Sequence, residues 1–190
     1  MKTGLGLYNK YRKFISYVNL VRFSMRKYLL GFDIANLFLQ RVDKVSLLLI
    51  LKKNGAKIGV DCDIETGLIF HNCKNYTNPS IANNCHIGKN CFFDLRDQII
   101  IKDNVVISMQ CSFITHIDMT KSRLSEIYPT ESKKIIVDND SYLGSGSTVL
   151  MGVEIGKECL VASNSLVNNT IKFNSIVGGI PAKSLVNNKI

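Results

Sequence analysis

The feature that most limits how this chain can fold is a six-residue spacing of aliphatic side chains in its C-terminal half. The clearest run has no gap and consists of Val137, Leu143, Val149, Ile155, Val161 and Val167. Six residues turn an α-helix through about 600°, so these side chains would spiral around a helix instead of sharing a face. Antiparallel strands would instead show a period of two between irregular turns. The spacing favours a solenoid that turns a corner every six residues.

The same spacing recurs further upstream, where the series are Ile58 and Ile64; Ile81, Ile87 and Phe93; and Ile101, Ile107 and Phe113. Glycines that follow the aliphatic residue are predicted to form corners with positive φ, at Gly59, Gly88, Gly144 and Gly156. Small residues two positions before it are predicted to leave room for tight turns, at Ser141, Ser147, Cys159 and Ser165. Two polar segments, 70–80 and 115–134, interrupt the repeat. Because loops on rigid scaffolds often carry function, they are candidate sites.

Residues 1–54 follow a helical pattern instead. One apolar stripe comprises Tyr11, Phe14, Ile15, Val18, Val21, Met25 and Leu29, and a second comprises Phe38, Val42, Val45 and Leu49. Asp33 is the predicted N-cap of the second helix, and Asn54–Gly55 is its predicted stop. We therefore expect two amphipathic helices over 1–54, ahead of a repeat domain over 55–190. Their apolar faces should pack on the repeat domain, on a neighbouring subunit or, less favoured, on a membrane surface.

The net positive charge of the chain lies entirely in this helical segment. The net charge is +9, and residues 1–53 hold 11 Lys and Arg against two acids, whereas the remainder holds 13 of each. A solvated helix face is one interpretation, and contact with phospholipid headgroups or a phosphate-linked glycan carrier is the other. Nucleic-acid binding is not expected, because the charge lies outside the repeat domain and no basic-aromatic groove motif is present.

Other composition features indicate the compartment. The N-terminus lacks the apolar run of a secretory signal, and no run approaches the ~20 apolar residues of a membrane span. We expect a cytoplasmic protein, with the inner face of the membrane as the alternative location. The six cysteines include no C-x-x-C pair, so they are predicted to be reduced thiols packed as small hydrophobic residues.

Two sequence blocks carry a resemblance to a known family. Ser-Tyr-Leu-Gly-Ser-Gly-Ser-Thr-Val-Leu-Met-Gly-Val-Glu-Ile-Gly spans 141–156, and Val-Gly-Gly-Ile-Pro-Ala-Lys spans 177–183. With the hexapeptide spacing over roughly 55–186, the chain resembles the hexapeptide-repeat acyltransferases, which include maltose and galactoside acetyltransferases and acetyltransferases of surface polysaccharides. Tyr142, Met151 and Ser163–Asn164 differ from the common family residues. Asn168–Asn169 replaces the usual Thr-Lys, which removes a cation expected near the coenzyme.

The resemblance implies a mainly β, left-handed parallel β-helix that assembles as a homotrimer, with acetyl-CoA as acyl donor and each active site between neighbouring subunits. By motif position, the catalytic histidine corresponds to His116. The coenzyme contacts correspond to Gly144, Ser145, Ala162, Ser163, Asn168 and Lys183. Asp118 stands where the polysaccharide branch often has a second histidine.

The chemistry of acetyl transfer to a hydroxyl fits His116, because histidine is the usual general base near neutral pH. We expect direct transfer to a saccharide hydroxyl, with a backbone N–H at a coil corner stabilising the oxyanion. Asp94, Arg96 and Asp118 are candidate acceptor-binding residues in surface polysaccharide or glycan synthesis. A covalent route through Cys111 is disfavoured, since no base is implied near it in sequence.

Two other functions remain open at the level of sequence. One is a non-catalytic scaffold or binding module, since solenoids offer rigid surfaces. The other is a zinc enzyme of the γ-carbonic anhydrase type, because the chain has three histidines. Their spacings of 15 and 30 residues resemble no ligand pattern, so no metal is expected. His86 is predicted to point outward from a coil face, and His71 lies in the first loop without an assigned role.

Overall fold

The computed structural model describes residues 2–185, with side chains from residue 8 onward. Three helices lie within residues 2–53, and parallel sheets of short strands follow from residue 57. The chain visits three sheets in the fixed order I, II, III and then begins the next coil. This arrangement is a parallel β-helix with a triangular cross-section, so the predicted mainly β, left-handed β-helix is confirmed.

The three sheets form the three faces of the helix. Sheet I consists of β1 (Lys57–Ile58), β4 (Pro79–Ile81), β7 (Ile99–Ile101), β12 (Ile135–Val137) and β15 (Glu154–Ile155). Sheet II consists of β2 (Asp63–Ile64), β5 (His86–Ile87), β8 (Val106–Ile107), β13 (Tyr142–Leu143), β16 (Leu160–Val161), β18 (Ile176–Gly178) and the antiparallel β19 (Lys183–Ser184). Sheet III consists of β3 (Ile69–His71), β6 (Phe92–Asp94), β9 (Ser112–Ile114), β14 (Thr148–Leu150) and β17 (Leu166–Val167).

The six-residue aliphatic positions form the core because the coils stack in register. Leu143 pairs with Ile107 in one neighbouring coil and with Val161 in the other, and all three are fully buried. On sheet III, the rings of Phe93 and Phe113 stack with centroids 5.1 Å apart. The inward column is therefore continuous from coil to coil, as the spacing predicts.

The corners are formed by different residues from those predicted. Gly59, Gly88, Gly144 and Gly156 do not have positive φ, so that prediction is wrong. Positive φ instead occurs three positions before the inward residue, mostly at Asn, Asp or Gly; the non-glycine cases include Asn84, Asn104, Asp140 and Asn164. Asn and Asp tolerate this conformation better than most residues.

The four glycines serve close packing between coils. A Cβ built on Gly88 would lie 2.5 Å from the backbone N of Met109, and one on Gly144 would lie 2.5 Å from the N of Ser163. No side chain fits at such distances. Glycine is required at these positions because it lacks a Cβ, and its freedom in φ is not used.

The small residue two positions before the inward side chain has a bonding role in addition to its size. The Ser141 hydroxyl donates to the carbonyl of Gly156 at 2.8 Å, and the Cys85 thiol donates to the carbonyl of Lys102 at 2.9 Å. Each bond joins one coil to the next. All six cysteines are free, and four are buried, at Cys85, Cys91, Cys111 and Cys159. These four pack as small residues, as predicted, whereas Cys62 and Cys73 are only partly buried.

Three helices precede the β-helix, where two were expected: α1 (Lys2–Leu30), α2 (Phe32–Leu39) and α3 (Lys44–Lys53). Asp33 lies inside the first turn of α2 and is not an N-cap. The capping residue is Asp43, whose carboxylate accepts from the backbone N–H groups of Val45 and Ser46. Asn54 caps the end of α3, as predicted. The sequence pattern missed the break because Phe38 and Val42 continue the apolar spacing across it.

The helices pack on the first coil of the β-helix. Phe23 of α1 is fully buried and contacts the rings of Phe32 and Tyr76, with centroids 6.3 and 6.2 Å away. The Tyr76 hydroxyl donates to the Asn36 side chain, whose amide donates to the carbonyl of Phe70 at 2.6 Å. Among the described helices, none is long and apolar enough to cross a membrane.

Candidate active site

His116 lies where the chain leaves sheet III, at the corner between sheets III and I. It opens β10 (His116–Ile117), which pairs antiparallel with β11 (Glu131–Ser132). A 3₁₀ helix, Arg123–Glu126, lies between these two strands. The predicted loop over 115–134 is therefore a hairpin-like excursion that projects from the β-helix, with His116 at its base.

The His116 ring is held by a carboxylate from the preceding coil. Its Nδ1 lies 2.5 Å from Oδ2 of Asp94. The Asp94 side chain is 1% exposed, and that of His116 is 19% exposed. Because a carboxylate can only accept, Nδ1 carries the proton in the neutral ring, and Nε2 carries none. This is the tautomer that a general base requires at Nε2.

Asp94 is ionised and fully bonded. Its Oδ1 accepts from the side-chain amide of Asn72 at 2.9 Å, and its Oδ2 accepts from the backbone N–H and the hydroxyl of Thr115, each at 2.9 Å. Burial by itself would raise the pKa of Asp94, but hydrogen bonds from His116, Asn72 and Thr115 outweigh burial and lower it. The carboxylate therefore stays charged beside His116 at neutral pH.

Asn72 completes the cluster and was missed from the sequence. Its amide nitrogen lies 3.5 Å from both ring nitrogens of His116, and its backbone has a φ of 53°. Asn72 and Asp94 are 22 residues apart, and so are Asp94 and His116, although the register of sheet III advances by 23 residues from β3 to β6 and by 20 from β6 to β9. The interval therefore does not follow the coil register, and no sequence signal pointed to Asn72.

Asp94 was predicted to bind the acceptor, and the structure places it differently. Its side chain is buried against Thr115 and His116, so it has no surface to offer a ligand. Asp94 positions His116 instead. The sequence suggested a solvent-facing role because Asp94 stands beside two further charged residues, Arg96 and Asp97, in a polar stretch.

Arg96 and Asp118 lie together near His116. The Arg96 guanidinium donates to the Asp118 carboxylate at 3.0 Å. The backbone N–H of Thr120 also donates to Asp118, at 3.0 Å. The Thr120 hydrogen bonds and the Arg96 charge lower the pKa of Asp118. Asp118 thus ties the start of the projecting loop to the β-helix, and Arg96 extends towards a groove.

A groove with a volume of about 870 Å³ runs between α2 and the edge of the first coil. Its helix side includes Asp33, Asn36, Leu37 and Gln40, and its β-helix side includes Ile69, His71, Asn72, Lys74 and Arg96. Asn72 belongs both to this groove and to the His116 cluster. The groove therefore opens directly beside the candidate base.

Most of the predicted coenzyme residues form one column, but at another corner. Gly144 and Ser145 follow β13, and Ala162 and Ser163 follow β16, so both pairs lie at the corner between sheets II and III. A Cβ on Gly144 would collide with Ser163, which confirms their contact. Lys183 is in β19, which pairs back onto Gly178 of β18 on the same sheet.

Asn168 lies apart from that column. It follows β17 and so stands at the corner between sheets III and I, the same corner as His116. In one copy of the chain, the His116 cluster and the column of Gly144, Ala162 and Lys183 thus occupy different edges of the triangle.

The other two histidines do not bond to the His116 cluster. His86 bonds to Asp63 at 3.1 Å on sheet II, and His71 lies against the ring of Phe92 with centroids 5.9 Å apart. Within residues 2–185, no group of three or more His, Cys, Asp or Glu side chains is placed to hold a metal ion. Cys111 is fully buried, and its thiol donates to the carbonyl of Gly144.

Comparison with known proteins agrees on the fold. A hexapeptide-repeat acetyltransferase of Vibrio cholerae is 25% identical with a TM-score of 0.71, covering 82% of this chain and 87% of its own. A galactoside acetyltransferase solved with coenzyme A is 18% identical with a TM-score of 0.69, covering 90% and 80%. The Vibrio protein has also been solved with acetyl coenzyme A. The fold is thus that of a hexapeptide-repeat β-helix protein, and the predicted resemblance to the hexapeptide-repeat acyltransferases is confirmed.

Sequence comparison adds a shorter match. The 2,3,4,5-tetrahydropyridine-2,6-dicarboxylate N-acetyltransferase of Staphylococcus aureus is 32% identical over 57 residues, which is 30% of this chain. The match spans about a quarter of the length of that relative, 24%. No protein-family model matches the chain.

Proposed function

We propose that the protein is an acetyl-CoA-dependent O-acetyltransferase that acts on a saccharide hydroxyl in the synthesis of a surface polysaccharide or other glycan. The observation that carries the proposal is the His116–Asp94 pair, in which the neutral ring holds its proton on Nδ1, within a cluster that adjoins a groove of about 870 Å³ through Asn72. The fold shared with acetyltransferases solved with coenzyme A and acetyl coenzyme A supports the choice of donor.

In the proposed reaction, Nε2 of His116 takes the proton of the acceptor hydroxyl while its oxygen attacks the thioester carbon. A C–O bond forms, and the carbonyl π electrons move onto oxygen. When the intermediate collapses, the C–S bond breaks. The leaving thiolate takes the proton from Nε2 and departs as the thiol, which restores the neutral ring. Asp94 stabilises the imidazolium that forms between these steps and keeps the ring in the productive tautomer.

The acceptor occupies the groove beside α2 in this proposal. The wall contributed by Asp33 and Gln40 offers hydrogen-bonding groups that a polyhydroxylated ligand needs, and Arg96 adds a cation on the opposite wall. Arg96 and Asp118 therefore keep an acceptor-side role, Asp118 by orienting Arg96. Asp94 acts only through His116.

A complete site requires a second copy of the chain. His116 stands at the corner between sheets III and I, whereas Gly144, Ala162 and Lys183 stand at the corner between sheets II and III. Packing of neighbouring copies brings two different edges together, and three copies close the assembly into a homotrimer. Light scattering of the purified protein measures this mass directly.

The central experiment replaces His116 by Ala and follows thiol release from acetyl-CoA with a panel of sugars and nucleotide sugars. Loss of a general base predicts a fall of about 10²- to 10⁴-fold in kcat, with unchanged circular dichroism. His86→Ala is the matched control, since His86 also bonds a carboxylate but lies on another face. Equal turnover in both variants would remove His116 from the mechanism.

Asp94→Asn separates positioning from catalysis. The amide retains the shape of the carboxylate but cannot stabilise an imidazolium, so kcat should fall less than in His116→Ala while binding of acetyl-CoA, measured by calorimetry, stays unchanged.

If wild-type protein binds no acetyl-CoA, the non-catalytic scaffold becomes the better interpretation. An amino sugar in the panel tests N-acetylation, the reaction that the Staphylococcus relative is named for.

Shared sites are tested by mixing two inactive variants. His116→Ala lacks the base, and Ala162→Trp blocks the coenzyme column, so each alone should be inactive. Co-expressed, they should form some sites with His116 from one copy and an open column from another. Activity in the mixture supports assembly of the site between copies, and complete inactivity of co-purified mixed oligomers contradicts it.

A further inference from the structure

Helix α1 has two apolar faces, of which one is buried. The buried face packs on α2 and α3 and includes Ser16 and Phe23, which are 2% and 0% exposed. This face accounts for the attachment of α1 to the rest of the molecule. It does not account for the apolar residues elsewhere on the helix.

The second face carries large side chains that are open to solvent. Exposed residues on it are Tyr11, Phe14, Val21, Met25, Tyr28 and Leu29, each at least 57% exposed in the single chain. At 100° per residue they fall within a sector of roughly 100°, on the side of the helix opposite Phe23. A continuous stripe of this kind marks a contact surface, because isolated apolar residues on a surface would not align.

Charge selects among the possible occupants of this stripe. Helix α1 has seven Lys and Arg and no Asp or Glu. Lys10 and Lys13 border one edge of the stripe and Arg22 borders the other, and all three are exposed. Within the described residues none of these three forms a salt bridge, whereas Arg12 pairs with Asp43. The free cations therefore face outward around the apolar stripe.

We propose that this face of α1 lies on an anionic phospholipid surface. Apolar side chains enter the headgroup region, tyrosines suit the interface, and the flanking Lys and Arg contact lipid phosphates. A second copy of α1 is disfavoured as the occupant, because pairing would bring two helices without acids together. The neutral balance of charge over residues 54–190 gives the β-helix no comparable attraction for the face.

The proposed placement has a consequence for the acceptor. Helix α1 packs on α2, which forms one wall of the groove beside the His116 cluster. A lipid surface under α1 would lie about one helix diameter, ~10 Å, from α2. An acceptor carried on a lipid could then reach the groove without leaving the membrane.

The test is sedimentation of the purified full chain with vesicles of phosphatidylcholine alone or mixed with phosphatidylglycerol. The expected result is binding to the mixed vesicles that weakens as salt is raised, with little binding to phosphatidylcholine. Equal binding to both vesicles, or to neither, would overturn the proposal. Because the readout is binding, it is independent of whether acyl transfer occurs.

Variants assign the binding to α1. Phe14→Ser with Met25→Ser should lower the partition coefficient by at least about tenfold, since burial of one such side chain is worth that factor or more. Lys10→Glu with Lys13→Glu should abolish the preference for anionic lipid. Phe173→Ser is the control, because Phe173 is 62% exposed on the β-helix. If the Phe14 and Met25 changes dissociate the oligomer in light scattering and leave vesicle binding intact, the face joins copies of the chain and the proposal is wrong.

Discussion

The β-helix and α1 both bear regularly spaced apolar side chains, but only the β-helix encloses all of its own. Phe93, Phe113 and Val149 point into coils that cover them completely. On α1, Phe23 is covered, while Phe14 and Met25 remain exposed. Apolar periodicity therefore indicates which residues share a face, and burial depends on what the rest of the chain places against that face.

The difference arises from how each element closes. A coil of the β-helix surrounds its inward side chains on three sides, and the neighbouring coils cover the remaining two directions, so its core is complete within one chain. A helix has a full circumference of 360°, and α2 and α3 cover only part of it. The uncovered sector of α1 is therefore available for an external partner, whereas the interior of the β-helix is not.

Phe113→Ala and Phe14→Ala give the largest predicted difference between these regions. Phe113 is fully buried and stacked on Phe93, so its loss should leave a cavity and cost about 3–5 kcal/mol of unfolding free energy. Phe14 is 64% exposed, and its replacement should change stability by no more than about 0.5 kcal/mol. Urea unfolding without lipid measures both. Similar costs would mean that the Phe14 face is covered in solution.

Gly88→Ala tests how tightly the coils approach each other. A Cβ at this position would lie 2.5 Å from backbone atoms of Ser108 and Met109, which cannot move as a flexible side chain could. We expect a loss of about 1–3 kcal/mol, as for other overpacked interiors. Thermal unfolding gives the measurement. A neutral result would show that adjacent coils separate without cost, contrary to a rigid scaffold.

The sequence predicted the β-helix well because one side chain per six residues carries the pattern. Leu143 and Val161 lie where that spacing places them, in register on sheet II. The corner chemistry was assigned to the wrong residue, since glycine suggests positive φ but also permits close approach. Only the stacked backbone distinguishes the two positions. At Gly144 the next coil leaves no room for a Cβ, whereas Asn164 adopts the positive φ.

The candidate site was less predictable than the fold. Motif position led to His116, but the role of Asp94 depends on a contact across one coil, and Asn72 has no motif at all. The groove requires α2, which the apolar pattern merged with its neighbour into a single helix. Contacts between distant segments do not follow from local periodicity, so these features appear only in three dimensions.

The smallest predicted effect concerns the N-terminus of α3, within the helical segment. Asp43 caps α3, so Asp43→Ala should cost about 1 kcal/mol, and Asp43→Asn should retain most of the capping. Burial alone would raise the pKa of Asp43, but hydrogen bonds from Ser46 and Val45 and the charge of Arg12 lower it. The stability from this carboxylate is therefore present above its unfolded pKa and is lost as pH falls through its lower folded pKa. The difference between wild type and Asp43→Ala in urea unfolding should shrink in acid, and a difference independent of pH would show that the charge of Asp43 contributes nothing to capping α3.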